Sequence, residues 1–163
     1  MADADVIRDT GETLVGLLRE GIPDWLLPHD RIMVGSYAEF AQLPALDAPR
    51  VTVFLHRIEV RYRLRTTSQD RGMPLRLSYL VTPWAMRADD DHRLLGRVLQ
   101  VLDAAAVVGP DERRGDAWGP DDTLQFVIDE MSRETELGLW EAMKLPFRAS
   151  IACHAQVFQL DPS

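Results

Sequence analysis

The sequence is short of cysteine, of lysine and of long apolar runs, and each shortage excludes something. Cysteine occurs once, as Cys153, in 163 residues. One thiol rules out an intramolecular disulfide and gives no basis for a thiolate metal site, which suits a reducing compartment. No apolar run approaches the ~18 residues that cross a bilayer, so no membrane segment is expected. Asp3, Asp5 and Asp9 stand where a secretory leader would have basic charge and then an apolar core. The chain is therefore expected in the cytoplasm, or in a particle assembled there. Net charge is −8, which argues against general nucleic-acid binding, because phosphate contacts need a basic surface. Lysine occurs once, at Lys144, against 17 arginines; no function is drawn from that bias.

Motifs that carry chemistry are absent too. Neither G-x-G-x-x-G nor G-x-x-x-x-G-K-[ST] occurs, so nucleotide binding has no motif support. Ser36, Ser78 and Ser150 lack the G-x-S-x-G elbow of a serine nucleophile. Asp89, Asp90 and Asp91 lack the glycine and distal glutamate of a calcium loop and fit helix capping better. Of the four histidines, His29, His56, His92 and His154, none stands at metal-ligand spacing with another His or Cys. Cys153 and His154 are strand neighbours pointing to opposite faces, so they form no nucleophile–base pair. His56 and His154 fall on predicted strands that could bring them together beside a carboxylate. That leaves a small metal-dependent enzyme as one reading, against core or interface histidines as the other. No cofactor is implied.

What is present is an ordinary globular composition, 46% hydrophobic and 27% charged, long enough to bury a sizeable core. One domain over residues 1–163 is expected. Val6, Ile7, Thr10, Leu14, Leu17 and Leu18 share one face of a helix over Ala4 to Leu18, stopped by Gly21 and Pro23. A short strand is expected over Arg31 to Val34. A loop follows between Pro44 and Pro49, packed by Leu43, Leu46 and Pro49. Val51 to Arg65 is the clearest strand. VTVFL is apolar on both faces; then His56, Ile58, Val60, Tyr62 and Leu64 alternate with Arg57, Glu59, Arg61, Arg63 and Arg65. This strand should begin inside a sheet and run out to an exposed or partner-covered end. The polar turn TTSQDRGMP makes it a hairpin with a return strand whose inward face is Leu75, Leu77, Tyr79 and Val81. Pro83 should end that strand. The aspartate triplet precedes a helix striped by Leu94, Leu95, Val98, Leu99, Val101 and Leu102. Leu124, Phe126 and Ile128 suggest a short strand. Ser132 caps a helix to Met143 with Leu137, Trp140 and Met143 inward, and Pro146 breaks it. Ser150 to Leu160 closes the chain as a strand with Ile151, Cys153, Ala155 and Val157 on one face. The expected class is α+β: a single mixed, mainly antiparallel sheet with helices packed on one face.

Two features invite a partner. Arg50 to Arg76 holds seven arginines against Glu59 and Asp70, one basic ribbon on an acidic body. It suits contact between copies or with an acidic partner; equally, it suits an edge strand whose solvated charges block aggregation. Trp84 sits at a strand-to-helix hinge, Trp25 between Pro23 and Pro28, and Trp118 in a polar loop. Aromatics in loops are candidate interface anchors, with local packing beneath loops as the alternative.

Four segments together resemble the tail-terminator, or cap, proteins of extracellular contractile injection systems, phage-tail-like particles whose cap family was long a domain of unknown function. They are PLRLSYLVTPWA (Pro74 to Ala85), DDDHRLLGRVLQVL (Asp89 to Leu102), VTVFLHRIEVRYRLR (Val51 to Arg65) and LWEAMKLPFRASIACHAQVFQLD (Leu139 to Asp161). The resemblance spans nearly the whole chain in order. Ala149 replaces an expected proline, and Ala152-Cys153-His154 is less aromatic than usual. The resemblance implies a non-enzymatic, phage tail-terminator-like part: a hexameric ring on the end of the tube and sheath that stops polymerisation and fixes length. Its partners would be its own copies and the tube and sheath proteins, with no nucleic acid. A closed ring needs two different patches per subunit. The expected contact residues are Arg57, Arg61, Arg63, Arg65 and Arg71 of the ribbon, with Trp84 and Trp118. A phage or prophage tail-completion or neck protein would share this ring logic.

Overall fold

The computed structural model describes residues 3–36, 39, 49–61 and 73–159. Helix α1 (Val6–Gly21) buries Val6, Thr10, Leu14 and Leu18, the expected stripe. It runs one turn past the expected end, because Gly21 lies against Val101 of the next helix, where a Cβ would collide; Pro23 follows. A 3-10 turn (His29–Arg31) leads into strand β1 (Ile32–Val34). Of the residues expected to pack the next loop, Leu43 and Leu46 lie outside the described residues, and Pro49 is exposed. Strand β2 (Arg50–Val60), strand β3 (Met73–Trp84), helix α2 (Ala88–Ala104), strand β4 (Thr123–Ile128), helix α3 (Arg133–Met143) and strand β5 (Ile151–Gln159) follow in order.

The five strands form one sheet in the order β1-β2-β3-β5-β4. β1 pairs parallel with β2, and the other neighbours are antiparallel. The α+β class and the mixed, mainly antiparallel sheet are as expected. The core lies between α1, α2 and one sheet face, where Leu14, Leu18, Val98 and Leu102 meet Val51, Leu77, Tyr79, Cys153 and Phe126. Leu75, Leu77, Tyr79 and Val81 point inward as the alternation requires. The expectation of helices on one face holds for α1 and α2. The short α3 packs on the reverse face instead, where Trp140 and Met143 cover Leu80, Trp84 and Ala152.

β2 carries a bulge. Leu55 pairs with Tyr79, and Arg57 pairs with Ser78, so His56 is an extra residue without a ladder partner of its own. The bulge switches parity: Val51, Val53 and Leu55 face the core, and so do Ile58 and Val60, opposite Leu77 and Leu75. His56 therefore does not share the face of Ile58 and Val60, which corrects the simple alternation. Ile58 and Val60 are 51% and 41% exposed, because the helices end short of this end of the sheet. Tyr62 and Leu64 lie outside the described residues.

Other expectations need correction for local reasons. Pro83 sits inside β3 rather than ending it. Its carbonyl accepts from Arg148 Nε (3.2 Å) on the β5 side, beyond the last β3–β5 pair at Val81 and Ile151. The missing N–H therefore falls where no ladder bond is needed. The aspartates follow the cap position of α2, which Arg87 occupies without a side-chain cap bond. Asp91 acts differently: one carboxylate oxygen accepts from Ala85 N (2.8 Å), the other from Arg148 (2.8 Å). On α2, Leu94, Val98 and Leu102 are buried, whereas Leu95 and Val101 are half-buried and Leu99 is exposed. Ser132 does cap α3, accepting from Thr135 N, and Trp140 and Met143 are buried, but Leu137 points outward. Ile128, at the end of β4, is exposed.

This register makes a sharp contrast testable by chemical denaturation. Leu77→Ala, in the sealed core, should cost about 2–5 kcal/mol. Ile58→Ser, on the same strand face but past the helices, should change stability by about 0.5 kcal/mol or less. Equal losses at both sites would contradict the placement of Ile58.

Candidate assembly surface

The reverse face of the sheet has two halves. α3 covers Leu80, Trp84 and Ala152. No described helix covers the other half. The bulge sends Arg57 and Glu59 of β2 to this face; Arg76 and Ser78 of β3, His154 and Gln156 of β5, and Gln125 and Val127 of β4 join them by ladder register. Asp129 follows β4 on the same face, its N–H donating to Ala152 O at 2.9 Å.

These groups form one charge network. Asp129 is its centre: its Oδ1 accepts from Arg76 at 3.2 Å and lies 2.6 Å from His154 Nδ1. Glu59 gathers Arg57 (3.4 Å), Arg61 (3.7 Å) and Arg76 (3.5 Å). The Arg76 Nε reaches Glu59 at ion-pair distance but without hydrogen-bond alignment. His154 Nε2 meets Gln156 at 3.2 Å, and Gln156 in turn bonds Gln125. Two carboxylates thus hold three arginines and a histidine, and the side chain of Arg57 stays 67% exposed. The pairs of Arg57 and Arg61 with Glu59 keep both arginines exposed and add little stability, which leaves these two arginines available to an outside carboxylate. Past the network, a groove of about 400 Å³ opens among Arg61, Arg76, Gln125 and Gln156, floored by Leu75, Leu124 and Val157.

His154 contacts Asp129, whose charge also reaches His56. Burial lowers the pKa of His56, opposed by the charge of Asp129 and assisted by Arg57. Its Nε2 is buried without a hydrogen-bond partner. No cluster of three or more His, Cys, Asp or Glu suited to a metal ion occurs among the described residues. His92 is exposed on α2.

The expected contact residues fall into three groups. Arg57 and Arg61 lie in the network. Arg63, Arg65 and Arg71 lie outside the described residues. The two tryptophans spend their rings within the chain. Trp84 is buried, donates Nε1–H to Thr52 Oγ1 (2.8 Å), meets Trp140 edge-on at 5.9 Å and carries the Arg148 guanidinium at 5.0 Å. Trp118 is half-buried, donates to Arg114 O (2.7 Å) and stacks under Arg113 at 5.5 Å. Trp25, by contrast, is 76% exposed. Arg76 closes the arginine ribbon in sequence, but no sequence pattern singles out Asp129 as a site residue. The place of Asp129 depends on β5 lying between β3 and β4, which no local pattern specifies.

The neutral His56 imidazole makes stability pH-dependent. Its folded pKa is depressed, so its contribution is complete above the ordinary value of about 6.5 and is lost as pH falls below it. Melting temperature should fall between pH 7.5 and pH 5, and less so in His56→Gln. An unchanged pH dependence in the variant would contradict the buried neutral ring.

Comparison with known proteins agrees with this fold. No curated protein sequence matches the chain. A solved structure described as an extracellular contractile injection system, PVC sheath/tube terminator in the extended state, superposes with a TM-score of 0.66 at 17% identity. The match covers 99% of this chain and 58% of that one. The anti-feeding prophage cap, a tube terminating cap, superposes with a TM-score of 0.62 at 15% identity, covering 100% of this chain and 57% of that one. The chain thus spans less than two thirds of either protein. The family model for the Pvc16 N-terminal domain matches residues 9–163. The chain belongs to the Pvc16 N-terminal domain family.

Proposed function

We propose that this protein is a non-enzymatic structural subunit that caps a contractile, phage-tail-like particle. It assembles in the cytoplasm as a hexameric ring on the end of the tube and sheath and stops their growth. The observation that carries the reading is the end-to-end match of its fold to two terminators of such particles. The half-bare reverse face supports it, because a monomer gains little stability from the pairs that the exposed Arg57 and Arg61 make with Glu59. Across an interface the same charges set register and exclude wrong partners. Arg57 and Arg61 belong to this contact, and Arg63, Arg65 and Arg71 continue the same ribbon in sequence. Trp84 and Trp118 serve as the rigid backing of the subunit.

Charge reversal tests the ribbon. Arg61→Glu, Arg63→Glu and Arg65→Glu in one chain should leave circular dichroism and the melting curve close to wild type, since Arg61 is exposed. The same chain should fail to cap particles, as read from negatively stained particle ends. Normally capped particles carrying the triple variant would reject the ribbon as the contact.

A further inference from the structure

Trp25 is held outward by the chain on both sides of it. Leu26 N and Leu27 N both donate to Pro23 O, at 2.9 and 3.1 Å, which fixes the turn. Ile22 and Leu27, flanking it, are fully buried. The indole therefore cannot fold inward without pulling two core residues out. A rigid, exposed tryptophan is the commonest kind of interface anchor.

The surface beside it is a groove of about 340 Å³ between this turn and α2, shared with Arg93, Gly96, Arg97 and Gln100. Arg97 has no ion pair among the described residues, and Arg93 pairs only with its exposed neighbour Asp89, at 3.1 Å. A Cβ on Gly96 would meet nothing within 4 Å, so packing within the chain does not require a glycine there. Glycine is a poor helix former, and a close approach from outside would account for it.

The matching surface lies on α3. Glu134, Leu137, Gly138 and Glu141 fall on one outward stripe, at helical spacing, and all four are exposed. Leu137 is 45% accessible, neither glutamate forms an ion pair among the described residues, and a Cβ on Gly138 would also meet open space. One helix thus offers arginines around a glycine beside an indole. The other offers glutamates around a leucine and a glycine.

We propose that the Trp25–α2 groove of one copy receives the α3 stripe of a second copy. Leu137 enters beside Trp25, the two glycines let the helices approach, and Glu134 and Glu141 face Arg97 and Arg93. α2 and α3 lie on opposite faces of the sheet. The contact is therefore head-to-tail, and it propagates around a ring rather than closing a two-fold dimer. This rests on the ring reading above and names the contact that would build the ring.

A cross-link tests it. The chain carrying both Gly96→Cys and Gly138→Cys is produced with its tube and sheath partners, and free and particle-bound protein are oxidised and run without reductant. Native Cys153 is fully buried and stays silent. The double variant should give a ladder from dimer upward, and neither single variant alone should give one. Trp25→Ser should lower the cross-linked fraction about tenfold or more. Without any added cysteine, Arg97→Glu should block assembly, and Glu141→Arg or Glu134→Arg in the same chain should restore it. Particle-bound protein without cross-links, dimers from a single cysteine variant, or charge reversals without effect would overturn the docking surface. If particles are nevertheless capped, the surface alone is wrong. If wild-type protein caps nothing, the ring reading fails with it.

Discussion

The reverse face of the sheet depends on the one residue that β2 inserts at His56. Before it, Val51, Val53 and Leu55 face the core; after it, Ile58 and Val60 do. Without the bulge, Arg57 and Glu59 would turn to the face that carries Leu75 and Leu77, and Ile58 and Val60 would turn away. The alternation of the strand end would then be reversed, and Arg57 and Glu59 would lose the register that sets them beside Arg76 and Ser78 of β3. With the bulge, the strand sets Arg57 and Glu59 on one polar face, where Glu59 pairs with Arg57 and Arg61 and Asp129 pairs with Arg76 of β3. Bulges commonly re-aim side chains in this way beside functional surfaces.

Two further joints make the subunit stiff enough to hold that face. Arg148 binds Pro83 O, Ala85 O and Asp91 and lies over Trp84, tying the end of β3, the start of α2 and the approach to β5 together. On the other side of the sheet, the buried Asp9 of α1 accepts from Ala117 N at 3.0 Å, and Gly115, with φ of 85°, leaves room for its carboxylate. Gln159 of β5 then donates to Ala117 O and to Asp122. The long polar loop is thereby fastened to both the first helix and the last strand.

Much of this was legible in the residues. The hairpin, the inward face of Leu75, Leu77, Tyr79 and Val81, the capped helix at Ser132 and the closing strand follow from period-two alternation and a cap, signals that need no knowledge of neighbours. The bulge was not legible, because alternation runs on unbroken through His56, and only the ladder shows that one residue is spare. Spacing alone points Leu137 inward, but a short helix on the edge of a sheet face leaves one apolar position uncovered. The tryptophans divided according to what lay beneath them. Trp84 meets remote segments, Trp118 is held by Arg113 and Arg114 just before it, and Trp25 has no such partner among the described residues. The arginine ribbon was visible in the sequence, whereas the carboxylate at its centre, Asp129, becomes visible only once β5 is seen to lie between β3 and β4.

The reading of this chain as a cap is tested most directly by the length distribution of tubes and sheaths in particles made with and without it, measured by electron microscopy. If the chain terminates growth, its removal should broaden the distribution toward long or ragged tubes, and restoring it should return one sharp length with a closed ring at the end. Particles of unchanged length with unchanged ends in its absence would contradict the assignment.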